Sequence, residues 1–140
     1  MIYTVTLNPA LDYIMYPNNL SVGEINRSAR ESLYFGGKGI NVSFILNELG
    51  ISSVATGFIA GFTGDALENA VSAFAKPDFV RLKKGLTRIN VKLRAENETD
   101  INAAGPEVSK ADINRLFERL EKVRAGDTVV KICLPIFTKI

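Results

Sequence analysis

Histidine and tryptophan are missing from this 140-residue sequence, and cysteine occurs once, at Cys133. Without histidine the chain builds neither a Ser-His-Asp nor a Cys-His catalytic set and offers no imidazole to a metal. A single cysteine excludes an internal disulfide framework and any multi-cysteine zinc or iron–sulfur cluster, which suits a reducing cytoplasm. Neither sign of charge dominates, with 17 Lys and Arg against 15 Asp and Glu. No nucleic-acid partner is therefore expected, and the small basic group Arg81, Lys83, Lys84 and Arg88 reads as a solvated strand end. Polar or glycine residues interrupt every apolar run before membrane-spanning length. The opening Met1-Ile2-Tyr3-Thr4-Val5-Thr6-Leu7 has neither a basic leader nor a small-residue cleavage site. The expectation is a cytoplasmic chain with no membrane partner.

What is present is an alternation of strands and helices. Ile2 to Leu7 is β-branched and aromatic, and Asn8-Pro9 stops it. Asp12 to Tyr16 and Arg27 to Phe35 are strand-like and flank the turn residues Pro17-Asn18-Asn19 and Gly23. From Gly39 the period becomes helical: Val42, Ile45, Leu46 and Leu49 form an apolar stripe, and Gly50 follows as the stop. Val54 to Ile59 predicts a strand, and Leu67, Ala70, Val71 and Phe74 predict a helix from about Asp65, ended by Pro77. A short strand starts at Phe79-Val80. Thr87 to Arg94 then alternates strictly, with Ile89, Val91 and Leu93 on one face and Arg88, Asn90, Lys92 and Arg94 on the other. A turn at Glu96-Asn97-Glu98 returns the chain through 100–104. Ser109 and Asp112 have the form of a capping box before the stripe Ile113, Leu116, Phe117 and Leu120, with Gly126 closing that helix and a strand starting at Thr128.

Crossovers of this length predict an α/β fold with a parallel sheet. The strands near 12–16, 27–35, 88–94 and 100–104 fall outside that rhythm in two pairs, so they are assigned to a small, mainly antiparallel accessory sheet.

The stretch richest in chemistry is Gly36-Gly37-Lys38-Gly39-Ile40-Asn41-Val42, at the mouth of the first helix. Free amides and the positive end of a helix dipole make such a turn a site for an anion or a polar ligand, and Lys38 adds a full charge. It is not a Walker A loop, because Lys38 is followed by Gly39 in place of Ser or Thr and no glycine stands five residues before Gly37. The dinucleotide fingerprint fails as well, since Val42 stands where a third small residue belongs. On spacing alone, a turn whose glycines serve only their own backbone angles stands as an equal alternative.

Four ordered segments carry a resemblance. Thr6-Leu7-Asn8-Pro9-Ala10-Leu11-Asp12, the glycine turn, Gly57-Phe58-Ile59-Ala60-Gly61 and Thr87-Arg88-Ile89-Asn90-Val91-Lys92 together resemble the amino-terminal half of the PfkB sugar kinases, within the ribokinase-like family. The resemblance covers about residues 1–130. It implies a three-layer α/β/α core with an inserted β-sheet lid, here its amino-terminal portion only. It also implies ATP- and Mg2+-dependent phosphorylation of a ketose phosphate, with fructose 1-phosphate the expected acceptor and tagatose 6-phosphate the alternative. The lid often forms a clasp between two copies, so a homodimer through the lid sheet is a further implication.

Carried over by motif, Asp12 and Asn41 would bind sugar hydroxyls, Gly36 and Gly37 would let the backbone approach the sugar, and Lys38 and Arg88 would hold the phosphate already on the substrate. A carboxylate accepts from vicinal hydroxyls, while Lys and Arg compensate a phosphate dianion. Each residue has a blander reading: Asp12 as a cap of the Pro9 turn, Asn41 as a partner of helix-start amides, Arg88 as a solvated lid charge.

The sequence departs from the family pattern towards its end. No Gly-Ala-Gly-Asp motif, which supplies the family's catalytic base, follows residue 105, and Lys131-Ile132-Cys133-Leu134-Pro135 stands where Ala-Gly-Ser-x-Pro is usual. Residues 131–140 therefore read as an atypical tail of a truncated or frame-shifted product. The chain alone is expected to be inactive, with no catalytic residue and no site for ATP or Mg2+. A non-catalytic sugar-phosphate binding or dimerisation module is the alternative function.

Overall fold

The computed structural model describes residues 1–131. Of the atypical tail expected from 131 onward, all but Lys131 lies outside the described residues.

Strand β1 (Ile2–Thr6) runs through the middle of a parallel sheet, with β4 (Ser53–Ala60) on one side and β9 (Thr128–Lys131) on the other. Two short strands, β5 (Lys76–Pro77) and β6 (Val80–Leu82), pair in succession along the far side of β4. Between them the Asp78 amide donates to the Ala55 carbonyl at 2.9 Å, and Thr56 Oγ1 donates to the Asp78 carbonyl at 2.6 Å. Pro77 was expected to end a helix, yet it lies in β5. An edge strand tolerates its missing N–H, and the preceding helix has already stopped.

That helix, α2 (Gly61–Val71), starts four residues before the predicted Asp65. Gly61 at φ 57° turns the chain from β4 straight into the helix, so no linker separates them. α2 buries Leu67 and Val71 against Ile59 and Phe79, while α1 (Lys38–Glu48) adds Ile40 to the same cluster. On the opposite face of the sheet, α3 (Lys110–Leu120) places Leu116 and Leu120 over Val5, Phe58, Val80 and Leu82. Helices on both sides of a parallel sheet make the three layers expected from the resemblance. Alternation along β4 divides the layers, since Ala55 and Ile59 face one cluster and Phe58 and Ala60 the other.

The first helix buries a different face from the one its periodicity selects. Gly39, Ile40 and Ser43 are its buried residues, whereas Ile45 is 55% and Leu49 is 68% exposed. Small side chains bring α1 close to the sheet: a Cβ on Gly39 would stand 2.6 Å from Thr6 Oγ1. The contact is partly polar, with Ser43 Oγ at 2.7 Å from Thr4 Oγ1 and accepting from Ser53 Oγ at 3.0 Å. Buried hydroxyls that satisfy one another cost little, so hydrophobicity is a poor guide to the inner face here.

The third helix also ends early, at Leu120 and not near Gly126. Its start matches expectation. Ser109 accepts from the Asp112 amide at 3.2 Å, and Asp112 accepts from the Ser109 amide at 3.0 Å. The Ser109 hydroxyl, then the Arg115 guanidinium, lower the Asp112 carboxyl from its ordinary 3.8 to about 2. A depressed carboxyl stabilises the fold above its unfolded value and loses that contribution as pH falls through its folded one. The α3 start is therefore expected to fray between about pH 4 and pH 2, seen as faster amide exchange at 110–113. Ser109→Ala should bring the same fraying to neutral pH at a cost of about 1 kcal/mol.

The accessory sheet has the order β3 (Ser28–Gly36), β2 (Ala10–Pro17), β7 (Arg88–Arg94), β8 (Glu98–Asn102). The two outer pairings are antiparallel hairpins and the central β2–β7 pairing is parallel. Leu11 and Phe35 of this lid pack into the core cluster, and hydrogen bonds tie it down at two further places. Buried Thr87 accepts from the Ala60 amide at 2.9 Å through Oγ1 and from Thr63 Oγ1 at 2.8 Å through its carbonyl. At the other root, Asn8 Nδ2 donates to the Ala104 carbonyl at 3.0 Å.

Candidate functional site

The glycine turn joins lid to core. Gly36 is the last residue of β3, Gly37 is the N-cap of α1, and Lys38 is its first helical residue. Gly37 adopts φ 138°, and a Cβ there would meet Thr6 Cγ2 at 2.5 Å, so both its conformation and its space demand glycine. Thr6, absent from the predicted set, takes part directly: its Oγ1 accepts from the Ile40 amide at 3.2 Å. One helix-start donor is thus satisfied by the core strand. The amides of Lys38 and Gly39 precede it and have no intrahelical carbonyl to meet. Positive helix-end charge and an exposed Lys38 therefore share one point of the surface.

Strand register brings the lid residues to this point. Ala10 stands opposite Gly36 on one side and Arg88 on the other. Two strand spacings put Gly36 and Arg88 about 10 Å apart across Ala10. One pleat along the same face, Asp12 stands opposite Tyr34 and Asn90. A Cβ on Gly36 would lie 3.3 Å from Asp12 Oδ2, so the missing side chain leaves the carboxylate open towards the turn.

Asp12 is half-buried and does not cap the Pro9 turn; its Oδ1 accepts from Asn90 Nδ2 at 2.8 Å. Arg88 is half-buried too, and its Nε is a buried donor with no partner, which does not suit a solvated charge. Asn41 is exposed on the first turn of α1, where its amide donates to the Gly37 carbonyl at 2.9 Å. Its side chain lines an apolar depression of about 270 Å3 with Val42, Ile45 and Leu46. A larger groove of about 460 Å3 runs between the start of β7 and 103–105, and of the predicted residues only Arg88 borders it. Asp12, Gly36 and Arg88 thus sit together, with Gly37 and Lys38 next in the chain, and Asn41 is the outlying member.

Asn90 is the residue that sequence reading passed over. It is 6% exposed on the otherwise cationic face of β7, where its neighbours Arg88, Lys92 and Arg94 drew the attention. Lys92 and Arg94 are spoken for: both donate to Asp100, at 3.1 and 2.8 Å, and that carboxyl is held below its ordinary value chiefly by Arg94 and then by Lys92. The cationic face therefore divides into a structural half at the hairpin end and a half at Arg88 facing the turn.

With this geometry in hand, comparison with known proteins gives consistent answers. A model of the pfkB family carbohydrate kinases matches residues 5–133. The sequence is 45% identical over 136 residues to a 1-phosphofructokinase of Bacillus subtilis, covering 93% of this chain and 43% of that protein. It is 35% identical to a D-tagatose-1-phosphate kinase of Bacillus licheniformis, over 90% of this chain and 41% of the relative. Among solved structures, a candidate phosphofructokinase of Staphylococcus aureus superposes with a TM-score of 0.90 at 36% identity, over 95% of this chain and 44% of that one. The chain spans about two fifths of the length of the curated relatives it matches.

Proposed function

Because this chain belongs to the pfkB family of carbohydrate kinases, we propose that its glycine turn and lid form the sugar-phosphate half of an ATP-dependent kinase acting on fructose 1-phosphate. The observation that carries the reading is the register of β3, β2 and β7, which sets a carboxylate and a half-buried guanidinium on one face of the lid, beside the strand end that leads into α1. Asp12 would accept from ring hydroxyls, the Gly36–Gly37 backbone would pass close to the sugar, and Lys38, Arg88 and the first α1 amides would hold the phosphate already present. Asn41 would add a hydroxyl contact if substrate extends over the first turn of α1. The 1-phosphofructokinase among its relatives supports fructose 1-phosphate, and the D-tagatose-1-phosphate kinase makes the C4 epimer the alternative acceptor. Tagatose 6-phosphate, expected from sequence as the alternative, stays a further candidate acceptor that affinity would separate from these two.

Phosphoryl transfer needs both substrates positioned in one site. Among the described residues no group of three or more His, Cys, Asp or Glu could hold a metal ion, and the sequence carries no Gly-Ala-Gly-Asp. ATP, Mg2+ and the catalytic base would be held by sequence of the kind the relatives carry beyond this length. The 140-residue chain itself would be a sugar-phosphate binding module, in the cytoplasm, with residues 131–140 an atypical tail.

Two measurements on the purified chain test this. A coupled ADP-release assay with fructose 1-phosphate is expected to show no turnover above a protein-free control, and turnover would overturn the placement of the nucleotide half elsewhere. Calorimetric titration is expected to show binding of fructose 1-phosphate, and its absence up to millimolar concentrations would overturn the site.

The lid also suits a clasp with a second copy. Leu33, Tyr13, Val91 and Ile101 stand in one row across all four strands, and Leu33 is 47% and Ile101 59% exposed. An apolar row of this kind is a natural self-complementary surface. Sedimentation is expected to show a dimer that Val91→Asp converts to monomer; a monomer at all concentrations would remove the clasp.

A further inference from the structure

Asn90 holds an arrangement that the proposed site leaves unexplained. Its Nδ2 donates to Asp12 Oδ1 at 2.8 Å, while its Oδ1 is a buried acceptor without a partner. The orientation of this amide is chemically fixed, because an ionised carboxylate only accepts, so the NH2 end must face Asp12 and the oxygen must face away. Two residues earlier on the same face of β7, Arg88 Nε is a buried donor without a partner. Buried polar groups are rarely left open. Here an unmatched acceptor and an unmatched donor belong to residues two positions apart on one face of β7, the acceptor on the amide that holds Asp12 and the donor on the Arg88 guanidinium.

We propose that Asn90 is a positioning residue that fixes the Asp12 carboxylate and, when a sugar phosphate draws Arg88 inward, accepts from Arg88 Nε, coupling the hydroxyl end of the site to its phosphate end. The relay Asp12–Asn90–Arg88 rewards a ligand that carries both hydroxyls and phosphate in one molecule. Free sugar or inorganic phosphate engages one end only and leaves the relay open. This inference rests on the sugar-phosphate reading of the site.

A double-mutant cycle tests it. Fructose 1-phosphate affinity is measured by calorimetry for the 140-residue chain, Asp12→Asn, Arg88→Met and the double variant, in the native and the Asn90→Leu backgrounds, with Asn90→Ser in reserve should leucine prevent folding. With Asn90 present, the two losses are expected to depart from additivity by about 5-fold or more; without it they should add to within about 2-fold. A side chain that merely supports the fold would lower the melting temperature and leave the coupling intact, which would overturn the inference. Losses at Asp12 and Arg88 with coupling unchanged in the Asn90→Leu background overturn the relay alone. No loss at either position, or no binding by the native chain, overturns the site and the relay with it. Independently of ligand, the Asn90 side-chain amide protons are expected to exchange slowly and to lose that protection in Asp12→Ala; equal exchange in both chains would remove the first link.

Discussion

Gly57→Ala is expected to abolish the folded state, although it adds one methyl group to the central pair of strands. Gly57 pairs with Thr6 across β1 and β4 and adopts φ 146°. A Cβ built there would lie 1.8 Å from the Thr6 carbonyl oxygen and 2.7 Å from its carbon. Both atoms belong to the backbone, so no rotamer relieves the overlap and the two strands must part. Their separation would also displace Thr6 from the Ile40 amide and from under Gly37, opening the start of α1. Strain without an outlet belongs to the rare class of substitutions costing more than about 4–5 kcal/mol, against the roughly 5–15 kcal/mol that keeps an ordinary domain folded. Gly50→Ala is the control: φ is 72° there, but nothing lies within 4 Å of the added carbon. It should cost about 1–2 kcal/mol, the price of the left-handed backbone alone. Urea denaturation of the two variants should separate them clearly. A Gly57→Ala chain that melts cooperatively near the native midpoint would show that β1 and β4 can shift.

The order of elements was legible because the strand period, the Gly50 stop and the Ser109–Asp112 box are local signals. What sequence misjudged was the inward face of α1. Hydrophobic periodicity selects Val42, Ile45, Leu46 and Leu49, but the helix turns Gly39, Ile40 and Ser43 to the sheet. Close approach decides this: only small residues fit over Thr6 and Val5, and Ser43 finds hydroxyl partners in Thr4 and Ser53 from strands that periodicity treats as independent. The early start of α2 has a similar cause. Gly61 and the Ala60–Thr87 hydrogen bonds bend the chain at once, and Thr87 is 27 residues from Ala60 in sequence.

The candidate site was legible in its residue types more than in its connections. Asp12, the glycine turn and Arg88 stood out as a carboxylate, a helix mouth and a cation. Asn90 did not, because its importance comes from the parallel register of β2 and β7, which sets it beside Asp12 across 78 positions of sequence. Hairpin register is written in the turn between two strands; the register of strands joined through a whole core is not. One trace was available. In the series Arg88, Asn90, Lys92, Arg94, the only uncharged member is the one that becomes almost fully buried.

Replacing Lys38 or Arg88 with methionine is expected to weaken fructose 1-phosphate binding about 10- to 150-fold each, the loss of one charge-assisted hydrogen bond of roughly 1.5–3 kcal/mol. Methionine keeps the length of either stem while removing the charge, so packing changes little. The two positions should differ in their effect on stability. Lys38 is exposed at the start of α1, where a cation opposes the helix dipole, so Lys38→Met should leave the melting temperature unchanged or raise it slightly. Arg88 carries a buried, unpartnered Nε, and removing an unsatisfied buried donor should also stabilise the free chain. Binding loss alongside an unchanged or higher melting temperature would separate ligand recognition from folding. The combined variant should lose less than the product of the single losses, since both cations would share one phosphate. Free fructose should bind each variant as it binds the native chain, having no phosphate for either cation. Unchanged affinity for fructose 1-phosphate in both single variants would move the phosphate away from this turn and return Lys38 to the role of a solvated helix-start charge.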